Sequence, residues 1–214
     1  MTSTYKRWLG EKQGEICVSH LIKHRFDAHF VQNTRLAVEQ ILQMTAPFEN
    51  FGFGGSDTLN ALGIKNILIE QGKTLYDHNQ DGLSAETRLD YRKKQLNCDC
   101  FLSSANALSL TGEIVNVDGI GNRTSAMTFG PRKVIVVAGV NKIATDLESA
   151  IRRVREVAAP MRAKSLGVDT PCALTGRCTD CNSPMRICNI TAILHRKPML
   201  TDISVIVVNE ELGY

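Results

Sequence analysis

Four of the seven cysteines in this chain crowd into one short stretch, at Cys172, Cys178, Cys181 and Cys188, with the spacing C-x5-C-x2-C-x6-C. Between Thr170 and Asn189 there are few large apolar residues, so the segment cannot hold a shape by burying a core of its own. Four thiolates converging on one metal centre is the simplest physical way to fix it. The Cys178/Cys181 pair supplies two ligands from one turn, the flanking loops bring in Cys172 and Cys188, and Arg177 and Arg186 offset the negative charge. Four-cysteine zinc sites more often use two C-x2-C knuckles. A single knuckle with wider, unequal loops favours a 4Fe–4S iron–sulfur cluster over zinc, although the spacing is not that of bacterial ferredoxins. Zinc, or metal-free redox-active thiols, stay open as alternatives.

The rest of the chain must supply the core. With 214 residues, 43% of them hydrophobic, it has the size of one α/β domain over 1–214, with the cysteine-rich segment at 170–190 as an appendage. No run reaches the roughly 18 apolar residues of a membrane span, and no apolar signal region opens the sequence. A cytoplasmic location is expected, and there crowded cysteines are metal-binding or catalytic more often than disulfide-paired. A net charge of +3 is too small to argue for nucleic acid.

Strand and helix signals alternate. Phe26–Gln32 roughly alternates apolar and polar residues, and Asn33 or Thr34 offers an N-cap for the helix that follows. Ile67-Leu68-Ile69 is a brief apolar run that suits a strand. Ala85–Leu96 reads as a charged helix whose buried side is marked by Leu89 and Leu96. Leu110–Gly130 is rich in turn formers, and long irregular segments inside a compact domain are usually functional. The continuous apolar run in Lys133–Val140 reads as a strand covered on both faces, and Ile203–Val208 as a last buried strand. Thr145-Asp146-Leu147-Glu148 forms a capping box with Thr145 as cap, opening a helix that Pro160 stops. The pattern predicts a mostly parallel sheet flanked by helices.

Two glycine-bearing turns are candidate ligand sites. Gly54-Gly55-Ser56-Asp57 lies between a strand and a helix, where exposed backbone N–H groups favour a phosphate or carboxylate. It is neither a dinucleotide fingerprint nor a P-loop, and a plain capped turn is the competing reading. In Asn116-Val117-Asp118-Gly119-Ile120-Gly121-Asn122-Arg123 the glycines Gly119 and Gly121 permit an anion nest. Asn116 and Asn122 add polar groups, and Arg123 can pair a carboxylate or phosphate bidentately. Glu113 and Asp118 are candidate catalytic acids or bases. A purely geometric turn at Asp118-Gly119 is the alternative.

Several runs resemble the LUD-domain family of lactate-utilisation-type proteins: Thr111–Arg123, Phe129–Val137 and Gly139-Val140-Asn141-Lys142. The cysteine segment, Phe53–Ser56 and the terminal Glu210–Tyr214 add to the match. The resemblance implies a fold like that of ribose-5-phosphate isomerase, glucosamine-6-phosphate deaminase and the CoA transferases, whose relatives bind phosphorylated or carboxylated small molecules at strand ends. It also implies a part in lactate or hydroxy-acid oxidation beside other lactate-utilisation or redox subunits. No catalytic assignment transfers residue by residue. Three readings follow. The first is a binder of a small anionic metabolite, between the two glycine turns and near an iron–sulfur site. The second is an isomerase, hydrolase or acyl-transfer enzyme with a zinc staple. The third is a non-catalytic sensor or assembly subunit. A homo-oligomer fits any of them, and none calls for nucleic acid or a membrane.

Overall fold

The computed structural model describes residues 2–214, with side chains from residue 4 onward. Helix α1 (Thr2–Lys23) leads to β1 (Asp27–Val31), then α2 (Thr34–Thr45), β2 (Asn50–Phe53), α3 (Asp57–Leu62), α4 (Ile64–Glu70), β3 (Thr74–Tyr76) and α5 (Ala85–Lys94). The middle of the chain forms β4 (Cys100–Ser104), β5 (Ala107–Ser109), β6 (Ile114–Asp118), α6 (Asn122–Thr128) and β7 (Lys133–Gly139). After β7 come a 3-10 turn (Val140–Lys142), β8 (Ile143–Ala144), α7 (Leu147–Arg153), a π-helical turn (Val154–Ala158) and α8 (Ala159–Ser165). The last elements are α9 (Pro171–Thr175), β9 (Ile190–Leu194) and β10 (Asp202–Val208).

Six strands form one sheet in the order β1-β10-β7-β4-β2-β3, and every pairing in it is parallel. Parallel strands need helical crossovers, so both faces are covered and the central strands are apolar on both sides. In β7, Val134, Val136 and Ala138 face one core, which holds Cys17 and Leu21 of α1 and Met127 of α6. Ile135 and Val137 face the other, with Ile41 of α2, Leu59 of α3 and Leu68 of α4. A smaller sheet, β8-β5-β6-β9, carries the antiparallel pairs β5–β6 and β6–β9, and α7 covers it through Ala150 beside Ala107 and Val115. The fold class expected from the alternating signals is therefore observed. Among the described residues no helix is long and apolar enough to cross a membrane.

Several local expectations are corrected. Ile67–Ile69 lies in helix α4: Gly63, in the left-handed region at φ 65°, ends α3 and restarts the chain as a helix that buries Ile64 and Leu68, four apart, and leaves Ile69 exposed. Leu89 of α5 is exposed. The helix after β8 is capped by Asp146, which accepts from Ser149 N, so Thr145 sits one residue outside the cap. Pro160 does not stop that helix. The π turn shifts the bonding register, with Ala159 N donating to Val154 O, and Pro160, which has no N–H, falls just beyond the shift. The supposedly irregular stretch 110–130 contains strand β6 and helix α6.

Candidate functional site

In a parallel sheet all strand C-termini point the same way, and ligands of open α/β folds gather there. Here a cavity of about 270 Å³ opens at that edge. Its walls come from the residues just past four strands: Gly55–Thr58 after β2, His78 and Asn79 after β3, Ser104–Asn106 at the end of β4, and Lys142 after β7. Val154, Ala158 and Ala159 of the π turn and its exit form another wall, Asp118–Ile120 a third, and Gly213 and Tyr214 close the rim. The lining carries four basic side chains, Arg92, Arg123, Lys142 and Arg162, against the two carboxylates of Asp57 and Asp118.

Two of those bases owe their positions to glycines. A Cβ on Gly54 would lie 3.0 Å from Cδ of Arg123 and 2.9 Å from Ser103 Oγ, and one on Gly55 would lie 3.2 Å from Nη2 of Arg162. The turn is thus thin enough for two arginines to lie against it. Arg123 is anchored through Nη2 to Asn106 Oδ1 (2.9 Å) and Val117 O (2.6 Å). Its Nε stands 3.5 Å from Asp118 Oδ1 yet makes no hydrogen bond. Asp118 spends its other oxygen on the N–H of Thr124 in the first turn of α6 (2.9 Å). Burial pulls Arg123 below the ordinary guanidinium range, and Asp118 partly restores it. Arg92 Nε is likewise buried without a hydrogen-bond partner. Both Nε atoms lie behind the cavity wall, so it is the basic excess of the lining that suits an anionic ligand.

Lys142 is 4% exposed, and its Nζ donates to the hydroxyls of Thr58 (2.9 Å) and Ser104 (3.0 Å). Burial, with repulsion from Arg153 and Arg123, brings its pKa down to about 7. His78 is buried too, and its Nδ1 sits 2.9 Å from Gln95 Nε2. Desolvation, reinforced by Arg92, lowers its pKa to about 4. The imidazole is therefore neutral near pH 7.

The cysteine segment borders the same cavity through Ile187 and Cys188. Glycines serve it as well, by letting the segment itself come close. A Cβ on Gly119 would lie 3.2 Å from Ile187 Cα, and Gly121, at φ 99°, faces Ile190 Cδ1 at 2.9 Å. Asn189 N donates to Asp118 O (2.9 Å), and β9 then pairs with β6 from Ile190 opposite Asp118. Within the segment, Asp180 takes a left-handed conformation (φ 49°) inside the C-x2-C turn. Arg186 ties the loop together by donating to Asp180 Oδ1 and to the carbonyls of Cys181 and Cys188. All four thiols are free and partly exposed. Burial raises the pKa of Cys188, Arg186 lowers it, and the nearby Cys178 and Cys181 raise it again. Among the described residues no three His, Cys, Asp or Glu side chains stand close enough to grip a metal ion. The donor chemistry still suits a thiophilic centre: four unpaired thiols on a coreless loop, with Cys178 and Cys181 near enough to Cys188 to raise its pKa. Holding such a centre requires the loop to draw the sulfurs together.

The sequence candidates therefore fall into two groups. Gly55, Ser56, Asp57, Asp118, Gly119, Asn122, Arg123 and Cys188 line one cavity. Gly54 lies against the stem of Arg123. Asn116 is buried behind the wall, accepting from Asn106 N, and Gly121 starts α6. Glu113 lies in the β5–β6 turn, accepting from Ser109 and Thr111 near His24, and does not line the cavity. Sequence reasoning missed Lys142, His78, Arg92 and Arg162. The first had a usable signal, since it follows a strand buried on both faces in a parallel sheet, where ligands are met.

The LUD domain family model matches residues 15–208. No curated protein matches the chain. Two solved chains do. One is a DUF162 family protein from Deinococcus radiodurans, 16% identical, with a TM-score of 0.53 over 94% of this chain and 98% of that one. At that identity the likeness establishes the fold alone.

Proposed function

This chain belongs to the LUD-domain family, and on that premise we propose that its cavity binds a small organic acid or phosphorylated metabolite beside a four-cysteine iron–sulfur site, as part of lactate or hydroxy-acid utilisation. The observation that carries this reading is the set of basic groups at the strand ends. Arg123, Arg92, Arg162 and Lys142 line one cavity with only the two carboxylates of Asp57 and Asp118 among them. A carboxylate or phosphate in the cavity would offset this cationic excess, and partial burial would strengthen each charge-assisted bond. Arg123 is the anchor in this reading, because Asn106 and Val117 hold its guanidinium in place before any ligand arrives. His78, held neutral, would add a polar contact without adding charge.

Cys172, Cys178, Cys181 and Cys188 would hold the cluster, which when bound supplies one-electron chemistry. Cys188 and the cavity share a wall, so the ligand and the cluster would be neighbours. The test has two parts. Protein purified anaerobically is assayed for iron, sulfide and zinc, and its thermal shift is recorded with L-lactate, pyruvate and ribose 5-phosphate. Brown protein with iron and sulfide, stabilised by one of these anions, is the expected result. Colourless protein with one zinc would favour the zinc-staple reading, and indifference to every anion would remove the binding reading.

A further inference from the structure

Lys142 stands out at the floor of the cavity because nothing neutralises it. Among the described residues no carboxylate lies within ion-pair distance of its Nζ, whose partners are two hydroxyls. The charged groups around it are mainly cations. Arg123 and Arg153 both repel it, and only Asp57 pulls the other way. Arg153 is fixed nearby, donating to Asn141 O (3.1 Å) and to Asn106 O (2.6 Å). Two hydroxyls meet part of its hydrogen-bonding capacity and leave its charge without an ion pair. Burying an amine among arginines disfavours its charged form, and that is how a lysine becomes nucleophilic at neutral pH.

We propose that Lys142 is a carbonyl-reactive amine, and that the acid held in this cavity carries a carbonyl group, as a 2-oxo acid does. This inference rests on the anion-binding reading above. The acid group meets Arg123 while the carbonyl carbon is presented to Nζ of Lys142. The free amine attacks that carbon, a C–N bond forms, and the carbonyl π electrons move to oxygen. A proton then passes from nitrogen to oxygen, giving a carbinolamine. Loss of water produces the imine, so one carbonyl compound and one amine become one imine and one water, with no change of oxidation state. The hydroxyls of Thr58 and Ser104, which accept from Nζ and line the cavity, are placed to take a proton from nitrogen and return it to the substrate oxygen. With a pKa of about 7, half of the amine is unprotonated at neutral pH, whereas an ordinary lysine is almost wholly protonated there.

The experiment is reductive trapping on the wild-type chain. Pyruvate or glyoxylate is added with sodium cyanoborohydride near pH 7, thermal shift reports binding of the same probes, and peptide mass mapping locates any adduct. One carboxyalkyl group on Lys142, formed in preference to the surface lysines and absent from Lys142→Arg and Lys142→Met, is the expected result. Because the adduct is mapped on unmodified protein, misfolding of either variant does not obscure it. Binding of the probe with Lys142 unlabelled, or with label spread over surface lysines only, would overturn the imine and leave the anion site standing. Failure of both probes to bind or label would overturn the inference together with the reading beneath it.

Discussion

Two glycine turns border the cavity, and they use the same residue for opposite purposes. At Gly54-Gly55 the missing Cβ atoms make room for the side chains of Arg123 and Arg162. At Gly119 and Gly121 they make room for the cysteine segment, through the Ile187 backbone and the Ile190 side chain. One turn brings charge to the cavity, and the other brings the thiol loop to the same wall. A glycine in sequence therefore announces close approach without saying what approaches.

Breaking the charge side should give the largest effect. Arg123→Gln is expected to weaken binding of L-lactate or pyruvate by roughly 10–100-fold, the cost of losing a charged hydrogen-bond donor. Calorimetry would measure it, and iron content should be unchanged; a parallel loss of iron would merge the two sides. Gly121→Ala puts a side chain at φ 99° and against Ile190, and is expected to cost about 1–2 kcal/mol. Thermal unfolding should register that loss, with a lowered metal content and anion affinity changed less than in Arg123→Gln. Gly54→Ala presses on the flexible stem of Arg123, so anion affinity should fall only several-fold, with iron retained. If the two glycine variants gave the same pattern of losses, the division of labour between the turns would be wrong.

A smaller effect concerns protons. Lys142 has a folded pKa of about 7, below its unfolded value of 10.5. Between those values the unfolded chain binds more protons, so this residue's contribution to stability rises with pH across that window and is constant below it. Lys142→Met should flatten the rise in chemical denaturation curves taken from pH 7 to 10. An anion without a keto or aldehyde group, such as L-lactate, should raise the pKa of Lys142 as it binds. Uptake of about half a proton at pH 7 would then appear as a buffer-dependent binding enthalpy.

Much of the fold was legible because burial on both faces leaves an unbroken apolar run. Lys133–Gly139 and Asp202–Val208 are strands for that reason, and they pair with each other at the centre of the sheet. The local misreadings occurred where geometry was set by one unusual backbone unit. The π turn before Pro160 carried a helix through a proline, and left-handed Gly63 turned Ile67–Ile69 into a helix. The site was legible in its glycines, Arg123 and Cys188, which share motifs along the chain. Lys142, His78, Arg92 and Arg162 come from separate elements and meet only because parallel strands end on one edge. Glu113 looked equally promising in sequence, yet a hairpin places it in the β5–β6 turn, with its carboxylate engaged by Ser109 and Thr111.

The most direct measurement is a crystal structure grown with saturating L-lactate or pyruvate. Density for the carboxylate against Arg123, between the Gly55–Asp57 turn and Lys142, is the expected result. A carboxylate seated elsewhere, or a cavity holding only water at a concentration that saturates binding in solution, would contradict the assignment of this cavity as the anion site.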